Sequence, residues 1–260
     1  MWLALDTATD RLSVAVRLPT AADGTPGVVL EEELAGARLH ARSLLPIADD
    51  LLRRAGAGPA ALAGVIVADG PGSFTGLRVG AAVAKALVAT RGVAFRTAPS
   101  LLARAVAGVK AAAQHVRHAN GEGASVLAVS DALRGQLYGA LYGFPPGRVV
   151  ELLAPRVWLP GELEAAVEAL GARARPAALV GDLPTPLLGR LEAWSGCTPL
   201  PAPAGAPHAS ALLALLDRAG GTTAPDAATW EPVYGRPAEA QAKWESTHGR
   251  PLPDPAGGAS

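Results

Sequence analysis

The chain has 260 residues, half of them hydrophobic, which is enough to bury the core of one large domain or of two lobes. Its 23 basic and 23 acidic residues cancel, so no global field draws it to nucleic acid or to a membrane surface. The single cysteine, Cys197, excludes an intrachain disulfide and fits a reducing cytosol.

The first residues, "MWLALDTATD", carry no basic segment and meet an acid at the sixth position, which predicts no signal peptide. No apolar run approaches the ~20 residues that a membrane helix needs. A soluble cytoplasmic protein is expected.

Leu3 to Leu18 is two apolar runs around an Asp/Thr-rich centre and predicts a hairpin. Pro19 to Gly27 is a turn, and "VVLEEEL" predicts a third strand. From Arg38 to Ala55, Leu44, Ala48, Leu51 and Leu52 recur at helical spacing, with Leu45 and Ile47 widening the stripe. The apolar strand "GVIVA" runs into "DGPGSFTGLRVG" (Asp69 to Gly80), which opens a helix to about Thr90. "GVAFRTA" predicts a strand, Ser100 to about Ala113 an Ala-rich helix, and "QHVRHANGEG" a polar loop between lobes.

After that loop the order recurs. Val126 to Gly143 is again strand, Asp, turn, strand, and "AALVGDLPTPLLGRL" is again strand, Gly/Asp/Pro turn, helix. Asp131 then corresponds to Asp6, and Asp182 to Asp69. A repeat this long predicts two related βα lobes. The expected division is residues 1–110 for the first lobe and 111–250 for the second, whose last segment closes the fold. Residues 251–260 have the composition of a disordered tail.

The glycine stretch follows a strand and opens a helix, the context in which backbone N–H groups hold phosphate. It fails both familiar motifs. Gly76 is followed by Leu77 and Arg78 where a P-loop needs lysine and a hydroxyl, and Gly70 and Gly72 are followed by Gly76 one position late for a dinucleotide fingerprint. Two readings remain. Asp6, Thr7, Gly70, Gly72, Ser73 and Gly76 form a turn or an anion nest, with Ser73 as helix cap. Gly76, Gly80 and Ala84 make one helical face low, beside the apolar row Val79, Val83 and Leu87, which points to close helix packing or an interface.

"LALDTATDRLSVAV", "HARSLLPIADDLL", "GPGSFTGLRVG" and "SDALRGQLYGALY" together resemble the TsaB (YeaZ) family, and "EPVYGRPAEAQAKWE" is similar to its carboxyl-terminal signature. The blocks run from Leu3 to about Glu245. The resemblance implies an α/β, two-lobed actin-like or sugar-kinase-like ATPase (ASKHA) fold with duplicated βα lobes. It implies a part in forming threonylcarbamoyladenosine next to the anticodon of ANN-decoding tRNAs. The catalytic paralogue TsaD and the ATPase TsaE are the implied partners, with tRNA reached through the complex. On this reading Leu44, Leu45, Ala48, Leu51, Leu52, Gly76, Val79, Gly80, Val83 and Leu87 form the partner interface. A homodimer through the same patch is expected when the partner is absent.

Several departures argue against catalysis by the chain alone. Kinases of this superfold carry Asp-x-Gly in the first hairpin, but here Asp6-Thr7-Ala8 has a Cβ where phosphate needs bare backbone. The paralogue's His-x-x-x-His metal pair has no counterpart, because no two of His40, His115, His118, His208 and His248 are four apart. His40 is expected at the surface or the interface. Gln136 replaces the family's Glu in the block of Asp131 and Arg134, which leaves a hairpin role there. No catalytic residue, metal or cofactor is therefore expected, and the chain reads as an accessory subunit. The alternative is a stand-alone nucleotide-dependent phosphotransferase or metallohydrolase of the same superfold.

Overall fold

Side-chain size alternates along the strands, and that alternation sets the layers of the fold. In β1 (Trp2–Asp6), Leu3 and Leu5 face one side and Ala4 the other. β2 (Arg11–Arg17) repeats this with Leu12, Val14 and Val16 against Ala15, and β4 (Gly64–Ala68) with Val65 and Val67 against Ile66 and Ala68. With β3 (Val29–Ala35) and β5 (Ala94–Ala98) they form one sheet in the order β3-β2-β1-β4-β5. The β1–β2 and β2–β3 pairs are antiparallel, whereas β1–β4 and β4–β5 are parallel. This is a computed structural model, and it describes residues 1–21, 23–25, 27–36, 39–112, 124–200, 206 and 208–235.

The second sheet has the order β8-β7-β6-β9, built from β6 (Ser125–Asp131), β7 (Leu137–Gly143), β8 (Val150–Trp158) and β9 (Ala178–Asp182). Two antiparallel pairs and one parallel pair repeat the first sheet's connections. Val126 to Gly143 thus founds its own sheet, as the repeat requires. Leu127, Val129, Leu137, Leu141 and Leu179 face one side; Val126, Ala128, Ala140, Tyr142 and Val180 face the other.

Five layers result. Helices α1 (His40–Arg54) and α2 (Phe74–Arg91) cover the large-residue face of the first sheet. Helices α4 (Pro160–Ala169) and α5 (Thr185–Ser195) cover the outer face of the second. Between the sheets lie α3 (Ser100–Ala112) and α6 (Ala209–Leu215), in a shared core with Ala4, Ile66, Ala68, Val126, Ala128 and Val180. Small residues on the inner faces let these helices approach the strands closely. This is the duplicated, two-lobed arrangement of the actin-like, sugar-kinase-like ATPase fold.

The expected lobe boundary needs one amendment. Part of the range assigned to the second lobe packs on the first: α6 lies on β1 and β2, and Thr223 pairs with Thr97 at the edge of β5. Trp230 meets Phe95 edge-on, with ring centres 5.1 Å apart. The loop holding His115 and His118, and the tail from Pro251, lie outside the described residues. Helix α1 is two residues shorter at its start and one at its end than its pattern suggested.

Candidate functional site: the glycine loop and the first hairpin

The parallel strands β1 and β4 end side by side, which brings the turn after Asp6 against the loop after Asp69. Asp6 ends β1 with its carboxylate turned back on the chain: Oδ1 accepts from the Ala8 N–H at 3.0 Å. Ser73 caps α2, its Oγ accepting from the Gly76 N–H at 3.2 Å. Gly70 needs glycine on two counts: φ is +110°, and a Cβ there would stand 2.0 Å from the Val233 carbonyl oxygen.

An anion nest requires unspent N–H groups, and here those of Gly70, Ser73 and Gly76 are engaged within the chain. The Ser73 N–H donates to the Ala8 carbonyl at 2.7 Å, the Gly70 N–H to the Ser100 hydroxyl at 3.1 Å, and the Leu77 N–H to the Ser73 carbonyl at 2.8 Å. A Cβ on Gly72 would lie 2.2 Å from the Ala8 carbonyl oxygen. The loop and the hairpin turn therefore touch directly. Val233 adds a strap from the far end of the chain, its N–H donating to the Asp69 carbonyl at 2.7 Å. Tyr234 stacks beside Phe74 at 4.5 Å, and Arg78 lies over the Phe74 ring at 4.4 Å.

The low face of α2 also turns inward. A Cβ on Gly76 would sit 2.1 Å from the Thr7 carbonyl oxygen, and one on Gly80 would sit 2.6 Å from Thr7 Oγ1. Gly76 and Gly80 are used by the chain's own β1 turn, because the helix crosses directly over it, and Ala84 is buried in the first lobe's core. Leu44, Ala48, Leu51 and Leu52 are likewise buried in the first lobe's core. The wide stripe of α1 serves β2, β3 and α2 at once. Of the ten residues expected at an interface, Leu45 is exposed at 59%, and Val79, Val83 and Leu87 are half-buried at the core's rim.

His40, expected at the surface or the interface, is 2% exposed, and its Nδ1 would lie 3.3 Å from a Cβ on Gly76. Burial lowers its pKa from the ordinary imidazole value, while the Asp10 carbonyl and carboxylate pull the other way. Burial pushes Asp6 up to about 6, against the Ala8 N–H, Arg104 and His208, which stabilise its charge; Glu31 adds to the rise. Asp69 is also raised to about 6 by burial, with the Thr97 hydroxyl opposing.

The second lobe repeats the turn. Asp131 Oδ1 accepts from the Leu133 N–H at 2.7 Å, bracing a bend in which Leu133 and Arg134 take positive φ. Asp182, the counterpart of Asp69, pairs with Arg104, a buried guanidinium on α3. No spacing signal marks Arg104 or Ser100, and an arginine in an Ala-rich helix was the hint there; the strap residues Val233 and Tyr234 lie in the carboxyl-terminal block "EPVYGRPAEAQAKWE". Cys197 is half-buried and donates to the Pro176 carbonyl at 3.1 Å, and burial raises its pKa. Asp49 and Asp50 pair with Arg53 on the surface of α1 and form no dyad.

Among known proteins, the family model described as "TsaD: tRNA N6-adenosine threonylcarbamoyltransferase" matches residues 27–144. The chain is 31% identical over 114 residues to "tRNA threonylcarbamoyladenosine biosynthesis protein TsaB" of Bacillus subtilis, a match covering 44% of this chain and 45% of that protein. It is 32% identical over 140 residues to the protein of the same name from Escherichia coli, covering 54% of each. The matched segments thus span about half the length of these curated relatives. A crystal structure from Pseudomonas aeruginosa, described as similar to peptidase YEAZ, superposes with a TM-score of 0.61 at 25% identity, covering 90% of this chain and 99% of that one. "YeaZ from Pseudomonas aeruginosa" superposes with a TM-score of 0.59 at 25% identity, over 90% of this chain and 98% of that one. In its hairpin, its glycine loop and these matches, the chain is similar to proteins of the TsaB (YeaZ) family.

Proposed function

We infer that this chain acts in the biosynthesis of threonylcarbamoyladenosine in tRNA, as a non-catalytic subunit that holds a TsaD-type paralogue active. TsaE joins them as the ATPase, and tRNA is met through the complex. The observation that supports this reading most is the closed contact between the Ala8 turn and the Gly70–Ser73 loop, where an ATPase of this superfold would take phosphate. A fold kept without an open phosphate cradle fits a surface that serves a partner. Among the described residues no helix is long and apolar enough to cross a membrane, which fits work in the cytoplasm.

The partner surface on this reading is the rim of α1 and α2, carried by Leu45, Val79, Val83 and Leu87. Leu45→Arg and Val83→Arg each place a charge there without crossing the core. Both variants are expected to keep the wild-type circular dichroism, to lose at least about tenfold in affinity for the paralogue, and to fail in restoring tRNA modification. Full binding and modification by both variants would overturn the interface.

Nucleotide is the second test. Calorimetric titration of the isolated chain with ATP and magnesium is expected to give no saturable binding below the millimolar range. Sub-micromolar affinity would show that the hairpin and loop open, and would favour an enzyme in its own right.

A further inference from the structure

We propose that Glu31, Glu33 and His208 form a binding site for a divalent transition metal, of which zinc is the probe. Glu31 and Glu33 are two apart on β3, so both side chains stand on the inner face of the first sheet. The register sets Ser13 beside Glu33 and Ala15 beside Glu31, and these small neighbours leave the carboxylates room. His208 arrives from the other side, as the residue before α6. One ligand atom from each of the three lies within 4.8 Å of the others.

The carboxylates are held in the manner of metal ligands, each oriented by a second partner. Glu31 Oε1 accepts from the Ser13 hydroxyl at 2.8 Å and from the Ser210 N–H at 3.0 Å. Glu33 Oε2 accepts from Arg11 at 3.0 Å, while its Oε1 lies 2.5 Å from His208 Nδ1. A separate observation points the same way. Asp6 is fully buried on the same sheet face, paired in register with Ser13, and its Oδ2 has no hydrogen-bond partner. Its charge is coupled to those of Glu31 and His208.

An imidazole nitrogen with two carboxylates suits zinc better than magnesium, which prefers oxygen alone and keeps its water. The ion binds between His208 and Glu33, any proton held there leaves to solvent, and a water completes four ligands. Bound there, it would tie β3 to the segment that returns from the second lobe.

The test is titration of the full, chelator-stripped chain with zinc chloride by calorimetry, with cobalt(II) absorbance reporting the ligand field. One zinc per chain at micromolar affinity or tighter is expected, with a rise in Tm that magnesium does not produce. His208→Ala should weaken binding about tenfold or more. Glu31→Gln is the sharper variant, because it leaves the His208–Glu33 pair intact; it too should lose zinc affinity while circular dichroism stays unchanged. No saturable binding, or binding undiminished in both variants, would overturn the proposal and leave the cluster as an ion pair that fastens α6.

Discussion

Gly76→Ala is expected to destabilise the chain by about 2–3 kcal/mol, whereas the same change at Gly189 stabilises it by up to about 1 kcal/mol. Both glycines sit inside helices, so intrinsic propensity favours alanine equally at each. What differs is the space. A Cβ at Gly76 falls 2.1 Å from the Thr7 carbonyl oxygen, a backbone atom held by the β1 turn, while at Gly189 nothing lies within 4 Å. Relief at Gly76 requires α2 to lift from β1, which disturbs the Ser73 cap and the Ser73–Ala8 hydrogen bond together. In thermal unfolding the two variants should move Tm in opposite directions, by roughly 5–10 °C downward for Gly76→Ala and 1–4 °C upward for Gly189→Ala. A Gly76→Ala protein as stable as the wild type would mean that the low face is open after all. It would return that face to the partner interface.

The same pair shows where sequence reasoning works and where it stops. Alternating hairpin strands and the recurrence of Asp6 and Asp69 as Asp131 and Asp182 made the two lobes and the hairpin-then-turn order of each legible, since strand period and turn chemistry are local. The inner layer was legible only in α3. Its strand faces are Ala4, Ala15, Ala68 and Ala128, and α6 is only seven residues long, so neither gives an amphipathic contrast to read. β8 and α4 were missed for a related reason: Val150–Trp158 breaks its alternation at Leu152–Leu153, and Pro160–Ala169 buries only three residues. The apolar stripe of α1 was seen, but spacing cannot tell whether a stripe faces its own sheet or another chain. Here most of it faces inward, and only the rim stays accessible. Glu31, Glu33 and His208 escaped notice because β3 reads as a charged edge strand and His208 lies far along the chain. Only the register of β2 and β3 and the return of α6 bring them together.

Replacing Asp6 by asparagine is expected to stabilise the metal-free protein by about 2–3 kcal/mol at pH 7 and to change nothing below about pH 4. Burial raises the Asp6 pKa from 3.8 to about 6, so the folded chain holds this proton more tightly than the unfolded chain. Between those values, rising pH ionises the unfolded state first and stability falls; above about 6 the loss reaches its plateau. The sign is opposite to that of a salt-bridged aspartate, which gains stability as pH rises. A shift of roughly two units sets the plateau near 3 kcal/mol. Asparagine keeps the oxygen that accepts from the Ala8 N–H and puts its amide nitrogen where Oδ2 has no hydrogen-bond partner. The turn therefore survives while the buried charge disappears. Urea unfolding of both proteins with chelator, from pH 4 to pH 8, should give curves that coincide in acid and diverge through pH 4–6. Arg104 and His208 stabilise the ionised carboxylate but do not cancel its desolvation. If Asp6→Asn is instead the less stable protein at pH 7, those two cations outweigh burial, and the charge at the end of β1 braces the hairpin.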